Sequence, residues 1–251
     1  MPKISVVMPV FNCEDSVERA IRSILNQSLS DFEFIILDDN STDRTVFLIQ
    51  SFDDQRIKLL RYKNNKGCTA RLNNGIMHCS GEYIARMDGD DESFPDRFLD
   101  QVGVLERDLS VGLVGARSYL INQKNSDVGL SFHGDDWDIR QRFRYSNPLV
   151  HSSVMIRMSV LQKVGFYRED FKTSQDYELW WRIIDKTDFR FHITSRFLHA
   201  RYHVQNSISE LRYFEQVVSG YKIRSRYMNT AWNIVVTSYH LVIGILGRLV
   251  H

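Results

Sequence analysis

Gly81-Glu82-Tyr83-Ile84-Ala85-Arg86-Met87-Asp88-Gly89-Asp90-Asp91 is the stretch on which the fold turns. Its first half is a short apolar run of strand length, and it stops on carboxylates gathered around a glycine. An apolar run bounded by a polar turn is the mark of a strand buried on both faces, the kind found in helix-covered parallel sheets. The same design recurs upstream. Ile4 to Val10 is continuously apolar, and residues 15–25 then space Val17, Ala20, Ile21, Ile24 and Leu25 at helical intervals. Phe32 to Leu37 is a second apolar run; it ends in Asp38-Asp39-Asn40-Ser41, where Ser41 or Thr42 can cap a helix carrying Val46, Leu48 and Ile49. Ile57 to Leu60 gives a third strand and Cys68 to Cys79 a third helix. Successive β-α units predict a right-handed, mostly parallel central sheet flanked by helices, an α/β fold.

Downstream, Pro95 suits the first turn of a helix bearing Phe98, Val102 and Leu105, and Val111 to Ala116 reads as a strand. The alternation then fades into a polar stretch, residues 122–147, with a basic patch at Arg140, Arg142 and Arg144. A short strand at Ser153 to Ile156, a helix at Gln175 to Ile184 and strands at Phe189 to Ile193 and Leu198 to His203 complete the core.

Composition narrows the function classes. With 43% hydrophobic and 25% charged residues the chain is a folded protein, and 32 Lys+Arg against 31 Asp+Glu leave no global field to draw it onto nucleic acid. Cys13, Cys68 and Cys79 form no C-x-x-C pair, so they read as reduced thiols of a cytosolic protein. The opening apolar run is followed by Asn12, Glu14 and Asp15 instead of a small-residue cleavage site, which favours a buried strand over a signal peptide. The tail is different in kind. Between Arg226 and Arg248 there is no charged side chain, yet Asn229, Asn233, Thr237, Ser238 and His240 interrupt the apolar residues. The expectation is a C-terminal amphipathic helix lying in a membrane interface, with Lys222, Arg224 and Arg226 toward anionic headgroups. A helix packed on the domain or on a partner subunit is the alternative. The organisation expected is therefore a catalytic domain over residues 1–210 and a membrane-apposed helical segment over 211–251.

In open α/β sheets ligands bind beyond the carboxyl ends of the strands. Here those ends carry Pro9-Val10-Phe11-Asn12, Asp38-Asp39 and Asp88-Gly89-Asp90-Asp91. So many carboxylates on one rim are costly without a cation, and oxygen donors select Mn²⁺ or Mg²⁺. Neither G-x-G-x-x-G nor G-x-x-x-x-G-K-[ST] occurs, so a nucleotide must be held otherwise. Asp38-Asp39 can accept hydrogen bonds from a pyrimidine base and its ribose, while a metal on Asp90 neutralises a diphosphate.

With these residues the chain resembles the inverting nucleotide-sugar glycosyltransferases of bacterial family 2, which have the GT-A fold. The resemblance rests on Ser5 to Asn12, Ile36 to Asp43, Gly81 to Asp91 and Ser174-Gln175-Asp176-Tyr177-Glu178-Leu179-Trp180, in order across residues 4–209. It implies a UDP-sugar donor site that starts at Pro9, with Phe11 and Asp39 on the base, Arg71 near the nucleotide and Asp88 facing the ribose. Asp90 would bind the metal, Asp91 would support the loop or the donor sugar, and His203 would complete the metal or diphosphate site. Inverting transfer needs one carboxylate to take the acceptor's proton, and the resemblance assigns Asp176, with Gln175 where an acidic neighbour is frequent. Without it, Asp176 would read as a helix N-terminal carboxylate stabilised by the macrodipole. His151, in Asn147-Pro148-Leu149-Val150-His151-Ser152-Ser153, and Trp180, as a face for a sugar ring, are candidates on the acceptor side. His78, His133, His192, His199 and His240 show no ligand spacing and read as structural or solvent-facing.

The tail and Arg140, Arg142 and Arg144 extend this to a lipid-linked saccharide acceptor, polyprenyl-diphosphate-borne, at the cytoplasmic membrane surface, as in O-antigen or capsule assembly. Two other readings compete. A nucleotidyltransferase would want a glycine-rich basic loop after the first strand, where this chain has Asn12-Cys13-Glu14-Asp15. A non-catalytic nucleotide-sugar-binding scaffold of the same fold is disfavoured by Asp39, Asp88, Asp90 and Asp176 all being present.

Overall fold

The computed structural model describes residues 1–121, 127–129, 133–202 and 212–249. The chain opens with β1 (Ile4–Val10), α1 (Val17–Leu25), β2 (Phe32–Asp38), α2 (Thr45–Gln50), β3 (Ile57–Arg61), α3 (Cys68–Met77) and β4 (Tyr83–Arg86). It continues with β5 (Glu92–Ser93), α4 (Arg97–Arg107), β6 (Val111–Ile121), β7 (Asp127–Gly129), α5 (Asp136–Phe143) and a 3₁₀ turn at His151–Ser153. Then come β8 (Met155–Arg157), α6 (Met158–Val164), α7 (Gln175–Lys186), β9 (Arg190–Tyr202), α8 (Tyr213–Arg224) and α9 (Thr230–Leu249).

The strands form one sheet in the order β3-β2-β1-β4-β8-β6-β9-β5, with β7 on β6. β3, β2, β1 and β4 run parallel, as the successive β-α units require. β8 enters antiparallel between β4 and β6, and β6 pairs parallel with β9. The antiparallel ladders are only two or three pairs long, so most of the pairing is parallel.

β1 and β2 are buried along their whole length, the consequence of helices on both faces. Ile4, Val6, Met8 and Val10 pack on one face with α1 and α4, while Val7, Ile35 and Leu37 pack on the other with α3, α6 and α7. α1 buries Val17, Ala20, Ile21 and Ile24, a stripe at helical spacing. The same alternation puts Tyr83 and Ala85 of β4 with α1 and α4, and Ile84, followed two residues on by Arg86, on the α3 and α7 face.

Several details depart from the sequence reading. α2 starts at Thr45, because Ser41 and Thr42 are used to tie two loops together, and Asp43 accepts the Thr45 N–H at 2.9 Å instead. The stretch read as polar contains α5, which buries only Ile139 and Phe143. Arg140 of the basic patch is engaged within the domain, by Asp136 at 2.6 Å and the Phe189 carbonyl at 3.1 Å. α6 was not expected, and the two strands read at residues 189–203 are one strand, β9, whose pairing with β6 is interrupted by register shifts.

At the C-terminal end, Ile223 of α8 is fully buried in the core that contains α7, and Trp181 stacks on Tyr227 at 5.2 Å. α9 is held to α8 by buried Arg224, which donates to Asn233 at 3.0 Å and Thr237 at 2.9 Å. Among the described residues no helix is long and apolar enough to cross a membrane.

Candidate active site

β1, β2 and β4 are adjacent, so the loops leaving their carboxyl ends lie side by side on one rim. Pro9 is tolerated in a central strand because of where β4 stops. The Val7 carbonyl accepts the Met87 N–H, so Val7 and Pro9 face β4, and β4 ends at Arg86. Beyond that point no partner awaits the N–H that proline lacks. Pro9 itself is buried, whereas Phe11 just past it exposes 46% of its surface on the rim.

The first two loops are bound to each other. Asn12 N–H donates to Ser41 Oγ at 3.0 Å and Thr42 N–H returns to Asn12 Oδ1 at 2.9 Å. Glu14 N–H donates to Asp43 at 3.1 Å and Arg44 N–H to Glu14 at 3.0 Å. Among the described residues, the positive-φ residues other than glycine are Asn12 (50°), Asn40 (69°) and Ser174 (58°), each one or two positions from a candidate site residue. Such strain persists where the surroundings impose it, and it concentrates at functional sites.

Asp39 is 3% exposed. Its Oδ1 accepts from Lys66 N–H at 2.9 Å and Arg71 Nε at 2.5 Å, and Oδ2 accepts from Gly67 N–H at 2.7 Å. A carboxylate has about four acceptor positions, so one is left for a further N–H. Arg71, 2% exposed, also donates to the Asn64 carbonyl and lies over the Tyr62 ring at 3.7 Å. It shapes the wall around Asp39 instead of reaching out as a free cation.

Asp88, Asp90 and Asp91 bring oxygen atoms within 4.8 Å of one another, a group able to hold a metal ion. Burial, reinforced by the charges of Asp88 and Asp91, pushes the Asp90 carboxyl up to about 7, so the group is short of positive charge. The loop is fixed from behind. Arg19 donates to the Asp90 carbonyl at 2.7 Å and Ser16 to the Gly89 carbonyl at 2.9 Å. His199, fully buried, stands 3.4 Å from Asp91 with its Nδ1 against Ser118 Oγ at 3.0 Å. A donor set of clustered carboxylates fits Mg²⁺ or Mn²⁺ and not a soft metal.

Arg86, the charged residue of β4, links the acidic group to its surroundings. It is 5% exposed, forms an ion pair with Asp88 and directs Nη2 to Cys68 Sγ at 3.5 Å. Its charge reaches Asp176 and His151, as the charge of Asp88 reaches Cys68 and Tyr167. A charged residue inside the apolar run of β4 was the signal available in the sequence.

Asp176 is the second residue of α7, which Gln175 opens after left-handed Ser174. Burial raises its carboxyl above the ordinary range, against the opposing pull of the helix N–H groups, the Arg86 charge and Asn147, whose Nδ2 donates to Oδ2 at 2.7 Å. His151 is half-buried, with Nε2 2.9 Å from Tyr167 OH. Burial and the nearby charges of Arg86 and Arg201 keep its ring neutral. Trp180 does not join them in the cleft: it is fully buried, edge-on to His151 at 6.1 Å, and has no free face for a sugar. His203 lies outside the described residues.

The model of glycosyl transferase family 2 matches residues 5–165, which include the loops of this rim. The chain belongs to that family. EpsE of Bacillus subtilis, named a glycosyltransferase, is 34% identical over 200 residues, covering 74% of this chain and 68% of its own. WfgD of Escherichia coli, a UDP-Glc:alpha-D-GlcNAc-diphosphoundecaprenol beta-1,3-glucosyltransferase, is 26% identical over 96% of this chain and 93% of its own. Among solved structures, TarS of S. aureus with UDP-GlcNAc superposes with a TM-score of 0.70 at 16% identity, over 95% of this chain and 71% of that one. The mannosyltransferase PcManGT of Pyrobaculum calidifontis, in complex with GDP-Man and Mn²⁺, gives 0.70 at 16% identity over 98% and 75%. The fold of this family 2 glycosyltransferase is thus GT-A, and Asp88-Gly89-Asp90 fits its D-x-D motif.

Proposed function

We propose that the protein is a metal-dependent inverting transferase that moves a hexose or N-acetylhexosamine from a UDP-sugar to a hydroxyl of a lipid-linked saccharide. The observation that carries this is the Asp88-Asp90-Asp91 group together with buried Asp176, the two sharing the charge of Arg86, which pairs with Asp88 and also acts on Asp176. Phe11 offers its exposed ring to the uracil, Asp39 its remaining acceptor position to the base N–H, and Asp88 its carboxylate to the ribose. Asp90, with Asp91 in support and His203 as a further ligand, would hold Mn²⁺ or Mg²⁺. Such an ion offsets the negative charge that develops on a departing diphosphate.

The chemistry asked of the chain itself is one proton transfer. As the acceptor oxygen bonds to the anomeric carbon, the bond from that carbon to the UDP oxygen breaks on the opposite face, and the hydroxyl proton passes to the Asp176 carboxylate. A raised carboxyl is a better base than an exposed aspartate, while Arg86, Asn147 and the α7 N–H groups favour its ionised form. His151, neutral, can hydrogen-bond the acceptor beside it.

The lipid-linked acceptor is favoured by WfgD, which acts on such a substrate, and by α9, which is built inside out. Its polar Asn233 is fully buried and Val236 is 4% exposed, while Ile234, Val235, Tyr239 and Val242 are 51%, 59%, 62% and 55% exposed. Exposed Lys222 and Arg226 precede this face. An apolar outer surface with cations at its edge suits peripheral attachment to the inner, anionic face of a cell membrane, and the product suits O-antigen or capsule assembly. In this reading residues 1–210 are the catalytic unit and 211–251 seat it on the lipid.

The test is turnover of a UDP-sugar panel with a GlcNAc-diphospholipid, for the native chain and Asp176→Asn. The reading expects an inverted product and a loss of about 10²–10⁴ in kcat with UDP affinity kept. Unchanged kcat in Asp176→Asn removes that residue from its role.

A further inference from the structure

Asp176 receives its side-chain hydrogen bond from Asn147, and Asn147 is itself restrained. Its Oδ1 accepts the Leu149 N–H at 3.1 Å while its Nδ2 donates to Asp176 at 2.7 Å, so the amide has one orientation that serves both. Pro148 between them stiffens the segment. Two residues upstream, Tyr145 is gripped from outside the catalytic unit. The Trp232 ring of α9 meets the Tyr145 ring edge-on at 5.6 Å, and His240 of α9 stands with Nε2 2.9 Å from the Tyr145 carbonyl. A carbonyl can only accept, so His240 donates through Nε2–H.

α9 is well placed to act as an anchor because its own seat is polar and buried. Arg224 is 3% exposed and Asn233 is fully buried; Asn233 returns Nδ2 to the Tyr221 carbonyl at 3.0 Å, and Tyr213 OH donates to the His240 carbonyl at 2.9 Å. Buried hydrogen bonds of this kind fix register where an apolar contact would slide. The contacts therefore run without a gap from the α8–α9 pair through His240 and Trp232 to Tyr145, and along three residues of chain to the amide that orients Asp176.

We propose that α9 is a positioning element of the catalytic base, acting through Tyr145 and Asn147. Resting on the assignment of Asp176 above, the proposal makes the surface that would meet the membrane part of the frame of the acceptor side. The donor side, built from the β1, β2 and β4 loops, has no such tie to α9 among the described residues. Loss of the grip should thus separate the two halves: donor binding stays and turnover falls.

The test uses the full chain and His240→Ala, with His240→Gln as the variant that keeps an N–H donor. Three readouts are taken: UDP titration with Mn²⁺, kcat with the best donor of a UDP-sugar panel and a short-chain, water-soluble GlcNAc-diphospholipid, and amide hydrogen exchange over residues 144–150. His240→Ala is expected to keep UDP affinity, to lose about tenfold or more in kcat, as small misplacements of a reacting group do, and to exchange faster over 144–150. His240→Gln is expected to restore both. Unchanged kcat in His240→Ala overturns the proposal whether or not exchange rises, and so does a loss of kcat that His240→Gln does not restore. If Asp176→Asn keeps turnover, it is the base assignment that fails, and the exchange data still judge the grip of α9 on residues 144–150.

Discussion

Asp90 stands among carboxylates in a half-buried loop, and its carboxyl is raised from 3.8 to about 7 by burial and by Asp88 and Asp91. The sign of the consequence is fixed. Between about pH 4 and about pH 7 the metal-free folded protein holds a proton there that the unfolded chain has released, so this group favours folding at the acid end and its contribution declines as pH rises through that window. The difference in thermal midpoint between metal-stripped native protein and metal-stripped Asp90→Asn, which isolates this group from His151 and His199, whose lowered pKa values act the other way, should therefore fall from about pH 5 to about pH 7.5; a difference that rises over that window would contradict the reading. Asp39, Asp88 and Asp90 were legible in the sequence because each interrupts or ends an apolar run where the strand must stop. Asn147 was not, because its role depends on which side chains the fold brings beside it; Arg86 stood out only as a charge inside the apolar run of β4, with partners that the fold alone supplies. Trp180 misled for a related reason: α7 buries every residue from Tyr177 to Ile183, so no stripe distinguishes a core tryptophan from one facing a ligand.

At the scale of elements, the β-α units were readable because β1 and β2 are apolar throughout and α1 keeps its stripe. α5 escaped because it buries two residues of eight, too few to give a period. β9 was read as two strands because its pairing shifts register against β6 near Gly115 and Arg117, and the intervening polar residues look like a turn. α3 packs closely on the central strands at Gly75. A Cβ at Gly75 would come 2.5 Å from Val7 Cγ1 and 2.9 Å from Leu37 Cδ1, both buried on β1 and β2. Gly75→Ala is expected to destabilise the protein by about 1–3 kcal/mol, read from denaturant midpoints, since overpacking outweighs any gain in helix propensity. A neutral or stabilising result would mean that α3 can move away from the sheet without cost.

At the scale of the whole molecule, one sheet presents the candidate site on its rim, and α9 turns apolar side chains outward. Val235→Glu combined with Val242→Glu replaces exposed apolar side chains, 59% and 55% accessible, without touching the buried seat at Asn233. The double variant should lose co-flotation with vesicles containing anionic lipid while binding UDP like the native chain; co-flotation equal to the native chain would remove α9 from that role. The inside-out character was only half visible in the sequence, where the polar interruptions could be counted but not assigned to a side. Calorimetric titration with UDP, with and without Mn²⁺, on the native chain and on Asp90→Ala tests the donor site. A metal-dependent UDP-sugar transferase binds UDP only with the metal and loses that binding in the variant. Binding that is indifferent to metal and to Asp90, or no binding of UDP by folded protein with metal present, would contradict the proposed function.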